Sequence, residues 1–117
     1  MGLSVELFRY NEKIEYWEYI DCIYTSMITS SRNLITTTIN KNYNEEITET
    51  FKWGFCEPLY YIDEEPKISA YSFKGRGITK IKYSILKKAW YEALGEELQL
   101  NNESIDDNTI VCLATGG

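Results

Sequence analysis

Leu3, Val5 and Leu7 alternate with Ser4 and Glu6, which predicts a short first strand over Leu3 to Arg9. Asn11 is a good helix cap, and Glu12 suits a first helical turn. Ile14, Trp17, Ile20, Tyr24, Met27 and Ile28 then recur every three to four residues, with Glu12, Glu15 and Glu18 between them. That spacing predicts an amphipathic helix with an acidic outer face. "SSRN" interrupts it. "LITTTI", Leu34 to Ile39, is rich in β-branched residues and reads as a strand. After the polar turn "NKNYNEE", Ile47, Glu49, Phe51 and Trp53 alternate with Thr48, Thr50 and Lys52, the pattern of another strand. Glu49 falls on its apolar side, so the alternation implies an edge or a paired carboxylate there. Pro58 to Ile62 reads as the next strand, with Pro58 tolerated at its first position. "DEEP" turns the chain, and Lys67 to Phe73 alternates again.

The clearest element follows. Ile81, Ile85, Ala89 and Ala93 are four apart, as are Leu86, Trp90 and Leu94, and together they form a wide apolar stripe at helical spacing. Thr79 is placed to cap this helix and Gly95 to stop it. Thr109 to Ala114 is a final β-branched run suited to a central strand. The order β-α-β-β-β-β-α-β, with short links in the middle, predicts an α+β fold. It would be one domain over residues 1–117: an antiparallel sheet of about five to six strands with two amphipathic helices packed on one face.

Composition narrows the function. Hydrophobic residues make up 44% of 117, enough for one packed core. No run approaches the ~18 apolar residues that a membrane span needs. "MGLSVELFRYNEK" has no charged leader followed by an apolar block, so no signal peptide is expected. Glu6 stands where a myristoylation motif wants Ser or Thr. Cys22, Cys56 and Cys112 are odd in number and far apart, which fits buried free thiols in a reducing cytoplasm better than disulfides or zinc. There is no histidine, so His-based triads and His metal sites are excluded. No catalytic motif is present. The expectation is a protein that is not an enzyme and needs neither cofactor nor metal.

Charge is unevenly placed. The net charge is -6, yet Lys67, Lys74, Arg76, Lys80, Lys82, Lys87 and Lys88 occupy a window without a single acid. The remaining five of the 12 cations share the rest of the chain with all 18 acids. Such a molecule is electrically bipolar. "SFKGRGITK" centres the basic window. It matches neither a Walker loop nor a dinucleotide fingerprint. Its glycines, its cations and the helix start behind it still suit an anion, which makes Lys74, Arg76, Lys80 and Lys82 a candidate anion-binding set. Lys80 and Lys82, expected in the first helical turn, need compensation against the helix dipole by carboxylates or by an anionic ligand. Tyr71, Phe73 and Tyr83 lie among these cations, as in surfaces that stack single-stranded bases.

The acidic pole has three clusters: Asp63 to Glu65, Glu96 with Glu97, and Glu103 with Asp106 and Asp107. Trp53, Phe55, Tyr60 and Tyr61 flank the first. Aromatic anchors beside charge suit a protein interface. The candidate partner-binding residues are therefore Tyr60, Tyr61, Asp63, Glu64, Glu65, Glu96, Glu97, Asp106 and Asp107. In size, acidity, tyrosine content and Ile/Asn/Lys/Tyr bias the chain resembles bacterial immunity proteins, such as those that neutralise contact-dependent growth-inhibition toxins. That resemblance implies a cytoplasmic inhibitor that covers the active site of a cognate, basic toxin, often a nuclease. It carries over no individual residue. The alternative is a nucleic-acid or phosphate-ligand binding module built on the basic 67–88 segment.

Overall fold

The first strand extends further than its alternation suggests. In the computed structural model, β1 runs Leu3–Asn11 and pairs antiparallel with β2, Tyr16–Met27. The structure describes residues 3–11, 13, 16–47, 49–55, 70–71, 79–101 and 104–116. Tyr16 to Met27 is therefore a strand and not the expected helix. Its composition favours this: Tyr16, Trp17, Tyr19, Ile20, Ile23, Tyr24 and Thr25 are residues that fit a pleated surface. Its spacing misleads because the ladder slips. Register shifts fall opposite Leu3/Val5, Val5/Glu6 and Leu7/Phe8, so that Leu7 faces Asp21 while Phe8 faces Tyr19. Each extra residue breaks the period of two, so that Ile20, Ile23 and Met27 reach the same apolar cluster at a helix-like spacing while Trp17 lies in the cluster on the other face. Asn11 does not cap a helix either. Its side-chain oxygen accepts the N–H of Lys13 at 3.0 Å, an Asx turn at the hairpin end.

The second correction mirrors the first. Thr29–Asn42 is helix α1, and it contains the whole expected strand Leu34 to Ile39. Threonines lower its intrinsic helix propensity, so tertiary contacts must hold it. Ile35 and Ile39, one turn apart, are fully buried. Thr36 Oγ1 donates to the Arg32 carbonyl at 3.0 Å and accepts the Trp53 indole N–H at 2.7 Å. The Arg32 guanidinium lies 5.2 Å from the Trp53 ring centre. One hydrogen bond and a cation–π contact, both to Trp53, thus fasten the helix to the segment that follows it.

That segment is irregular rather than the expected strand. Ile47 and Phe51 are buried, while Glu49 is exposed and 3.9 Å from Lys52. Exposure resolves the odd placement of Glu49; residue 48 lies outside the described residues. The Phe51 N–H donates to Asn40 Oδ1 at 2.8 Å and the Lys52 N–H to Thr79 Oγ1 at 2.8 Å. Side chains thus take the place of a ladder. Only Gly54–Phe55, β3, is a strand here. The expected strand Pro58 to Ile62 lies outside the described residues. Of Lys67 to Phe73, Ala70–Tyr71 is described and forms β4.

Ile81–Lys82 is β5, and α2 spans Tyr83–Leu94. Thr79 is not the helix cap; its hydroxyl is engaged by Lys52, and the helix begins only after Lys82. Gly95 does stop it, in the left-handed region at φ 73°, with its N–H on the Tyr91 carbonyl at 2.8 Å. β6, Ile110–Gly116, is central. It pairs antiparallel with β1 on one edge; on the other it takes β5 antiparallel and β3 parallel. β4 pairs antiparallel with β2. The order is β3-β6-β1-β2-β4, with β5 sharing the β3 edge. The fold is α+β with one largely antiparallel sheet and two helices, as expected. Among the described residues the sheet is five positions wide, at the low end of the five to six strands expected, because two expected strands are a helix and an irregular segment.

The sheet separates two apolar clusters. Val5, Leu7, Ile20, Val111 and Leu113 pack with Ile35 and Ile39 of α1 and Leu86, Ala89 and Trp90 of α2. Phe8, Trp17, Cys112 and Ala114 form the second cluster, with Tyr10 against it, and neither helix contributes a residue to it. α2 is thus buried along one stripe, and its opposite side is available to a site.

Candidate functional site

The stripe on α2 decides which side chains point outward. Tyr83, Leu86, Ala89 and Trp90 are buried. Lys88, Tyr91 and Glu92 fall on the other side, and Tyr91 is 57% exposed, a large aromatic at the surface. Past the Gly95 stop the chain runs back beside the helix. Leu98 is buried at 7% exposure, and Leu100 and Ile105 pack against the main core. The Asn101 N–H donates to the buried carboxylate of Asp21, and Asn101 Nδ2 donates to the Cys22 carbonyl at 3.1 Å. Apolar anchors and two hydrogen bonds to β2 therefore fix the returning chain.

Between α2 and this chain lie two hollows. One, of about 630 Å³, is lined by Lys88, Tyr91, Glu92, Glu97 and Leu98, with Tyr83 and Lys87 at its end. The other, of about 560 Å³, shares Tyr83 and Lys87 and continues to Gln99, Leu100, Asn101, Ser104 and Ile105. Lys87 stands where they meet. Its ammonium donates to Asp107 Oδ1 at 2.6 Å and lies 4.9 Å from the Tyr83 ring centre. The hydrogen bond to Asp107 raises the Lys87 pKa, against the opposing effect of burial. Burial raises that of Tyr83. Glu92, also in the lining of the larger hollow, accepts hydrogen bonds from the Tyr43 hydroxyl and from Asn42 Nδ2, the latter at 3.1 Å. The hydrogen bond to Glu92, then burial and the Glu92 charge, push Tyr43 up to about 12.

The expected acidic residues divide in two. Asp106 Oδ1 accepts the Asn108 N–H at 2.7 Å, and Asp107 is paired with Lys87. Both carboxylates serve the turn. The same turn caps α2: the Tyr83 and Ser84 N–H groups donate to the carbonyls of Thr109 and Asp107 at 2.9 and 3.0 Å. Glu96 and Glu97 are exposed, and neither has an ion pair among the described residues. Tyr60, Tyr61, Asp63, Glu64 and Glu65 lie outside the described residues, as does Glu103.

Of the candidate anion-binding set, Lys74 and Arg76 lie outside the described residues. Lys80 and Lys82 are exposed and precede α2, with Lys82 at its cap position. Lys80 Nζ is 4.0 Å from the Tyr10 ring centre. Neither lysine lies in the expected first helical turn, and the contact of Lys80 is a ring rather than the expected carboxylate or anionic ligand; the first helical N–H groups are occupied by carbonyls. Tyr83 is 6% exposed, so its ring is not open for base stacking. The side chain of Tyr71 and all of Phe73 lie outside the described residues.

Two contributors escaped the sequence reading, Tyr91 and Leu98, whereas Tyr83 and Lys87 were read only as members of the basic window. Tyr91 carried a usable signal, since it lies off both four-residue rows of α2 and must face outward. Leu98 carried none, because its burial depends on the path of the returning chain. Among the described residues no group of three or more His, Cys, Asp and Glu is placed to hold a metal, and no helix is long and apolar enough to cross a membrane. The chain matches no protein-family model, no curated protein and no solved structure.

Proposed function

We propose that this protein is a stoichiometric inhibitor of the immunity type, which binds a basic cognate toxin in the cytoplasm and blocks its active site without catalysis of its own. One observation carries the reading. Glu97 lines a groove together with the exposed Tyr91, and neither it nor the exposed Glu96 before it has an ion pair among the described residues; the groove's walls are held by a buried helix stripe and a hydrogen-bonded return chain. Charges that are not consumed internally, next to a rigid aromatic, are what an acidic interface presents to a basic partner. The net charge of -6 adds long-range steering.

The required surface is modest. A standard interface takes about 800 Å² from each partner, roughly a tenth of the 7389 Å² exposed here. In this reading the toxin's basic substrate site lies over the acidic groove, and substrate is excluded by occupancy. Co-expression with the product of the adjacent gene tests it. A one-to-one complex that dissociates as salt rises is expected. An adjacent product that is basic and toxic yet forms no complex would sink the proposal.

A further inference from the structure

The groove also specifies which side chain the partner brings. Lys87 is already paired with Asp107, so the charges left lining the larger hollow are those of Glu92 and Glu97 against Lys88, with the exposed Glu96 next to Glu97 in the chain. Glu92 is oriented towards α1 by Tyr43 and Asn42, which leaves Glu97 as the carboxylate that lines the hollow without a partner among the described residues. Opposite the charge is apolar surface: the exposed Tyr91 ring and the flank of Leu98. A ring face beside a carboxylate suits a flat cation. Lysine's ammonium is a compact, strongly hydrated charge; arginine's guanidinium stacks on a ring and offers paired N–H groups to a carboxylate at the same time. Phosphate is disfavoured by the two carboxylates that line the hollow.

We propose that the hollow between Tyr91 and Leu98 receives an arginine of the basic partner protein, with its guanidinium on the Tyr91 ring and its N–H groups on Glu97. The proposal rests on the inhibitor reading and deepens it. The hollow is formed before binding: Gly95 fixes the chain reversal, Leu98 is buried, and Asn101 holds the loop to β2. Little ordering is left to oppose docking.

Amide NMR on the intact protein tests it, with an N-acetylated, C-amidated peptide of alternating Arg and Gly as probe. Shifts should concentrate on Lys88, Tyr91, Glu97 and Leu98. The matching Lys–Gly peptide should bind several-fold more weakly. Tyr91→Ala and Glu97→Gln should each weaken binding about fivefold, the size of one exposed cation–π contact or one exposed ion pair. Both residues are exposed, so the variants should keep the wild-type amide spectrum elsewhere. Equal binding of the two peptides would overturn the proposal, as would shifts centred on Asp106 to Asn108, or tighter binding of a single-stranded RNA at the same residues. A cognate toxin that binds Tyr91→Ala as tightly as wild type, but not a Glu96→Lys/Glu97→Lys variant, would remove the arginine assignment and leave the inhibitor reading standing. A protein that binds no basic partner removes the reading itself.

Discussion

Thr37→Ala distinguishes the observed helix from the expected strand by the sign of one stability change. In α1, Thr37 is exposed while Ile35 and Ile39 are fully buried. The substitution then removes no packing and replaces a β-branched residue by the best helix former, which stabilises by about 0.5–0.7 kcal/mol. For a chain of this length that raises Tm by roughly 2–4 °C. In a strand, Thr37 would share a face with Ile35 and Ile39, and its loss would cost up to about 1 kcal/mol. The two structures therefore predict opposite signs. Urea denaturation followed by far-ultraviolet circular dichroism reads the difference, with the slope checked for constancy. Ile39→Ala is the control that both arrangements share; it should cost about 2–5 kcal/mol because the side chain is buried either way. A destabilised Thr37→Ala protein with unchanged slope would refute a helix at Thr29–Asn42.

Two further outcomes follow from individual groups. The Tyr43 phenol, pushed up to about 12 above an ordinary 10.0, is held neutral by the fold. Its contribution to stability is complete below pH ~10 and is lost as pH rises towards ~12. Spectrophotometric titration should show a late tyrosine that disappears in Tyr43→Phe and moves earlier in Glu92→Leu; an unchanged late phase in Tyr43→Phe would reject the contact. Among the thiols, Cys22 is half-buried and Cys112 fully buried. Peptide mapping after a brief pulse of alkylating reagent should find Cys22 modified well before Cys112; equal rates would show that the second cluster is open to solvent.

What was legible in the sequence follows from how local its cause was. β1, α2, the Gly95 stop and β6 are written as unbroken periods or a single turn residue, and they appear where those signals lie. β2 fails because its bulges destroy the period that identifies a strand. α1 fails for the opposite reason: its threonines advertise a strand, while Ile35, Ile39 and the Thr36–Trp53 hydrogen bond, contacts invisible to local propensity, hold a helix. The site divides on the same line. Glu96 and Glu97 were readable as an acidic helix end, and they remain exposed. Asp106 and Asp107 looked equivalent, but one completes an Asx turn and the other binds Lys87 twenty residues earlier in the chain. Only tertiary structure separates carboxylates consumed by the fold from carboxylates left exposed at its surface.

That distinction is the centre of the functional account, and calorimetric titration of the adjacent gene's product into this protein tests it most directly. Wild type should bind one to one with nanomolar affinity. Glu96→Lys/Glu97→Lys should weaken binding at least about a hundredfold, as expected when a complementary interface acquires like charges, and should leave Tm within a few degrees because both side chains are exposed. Binding of equal strength by wild type and the charge-reversed variant would contradict the acidic surface beside α2 as the place where the partner is held.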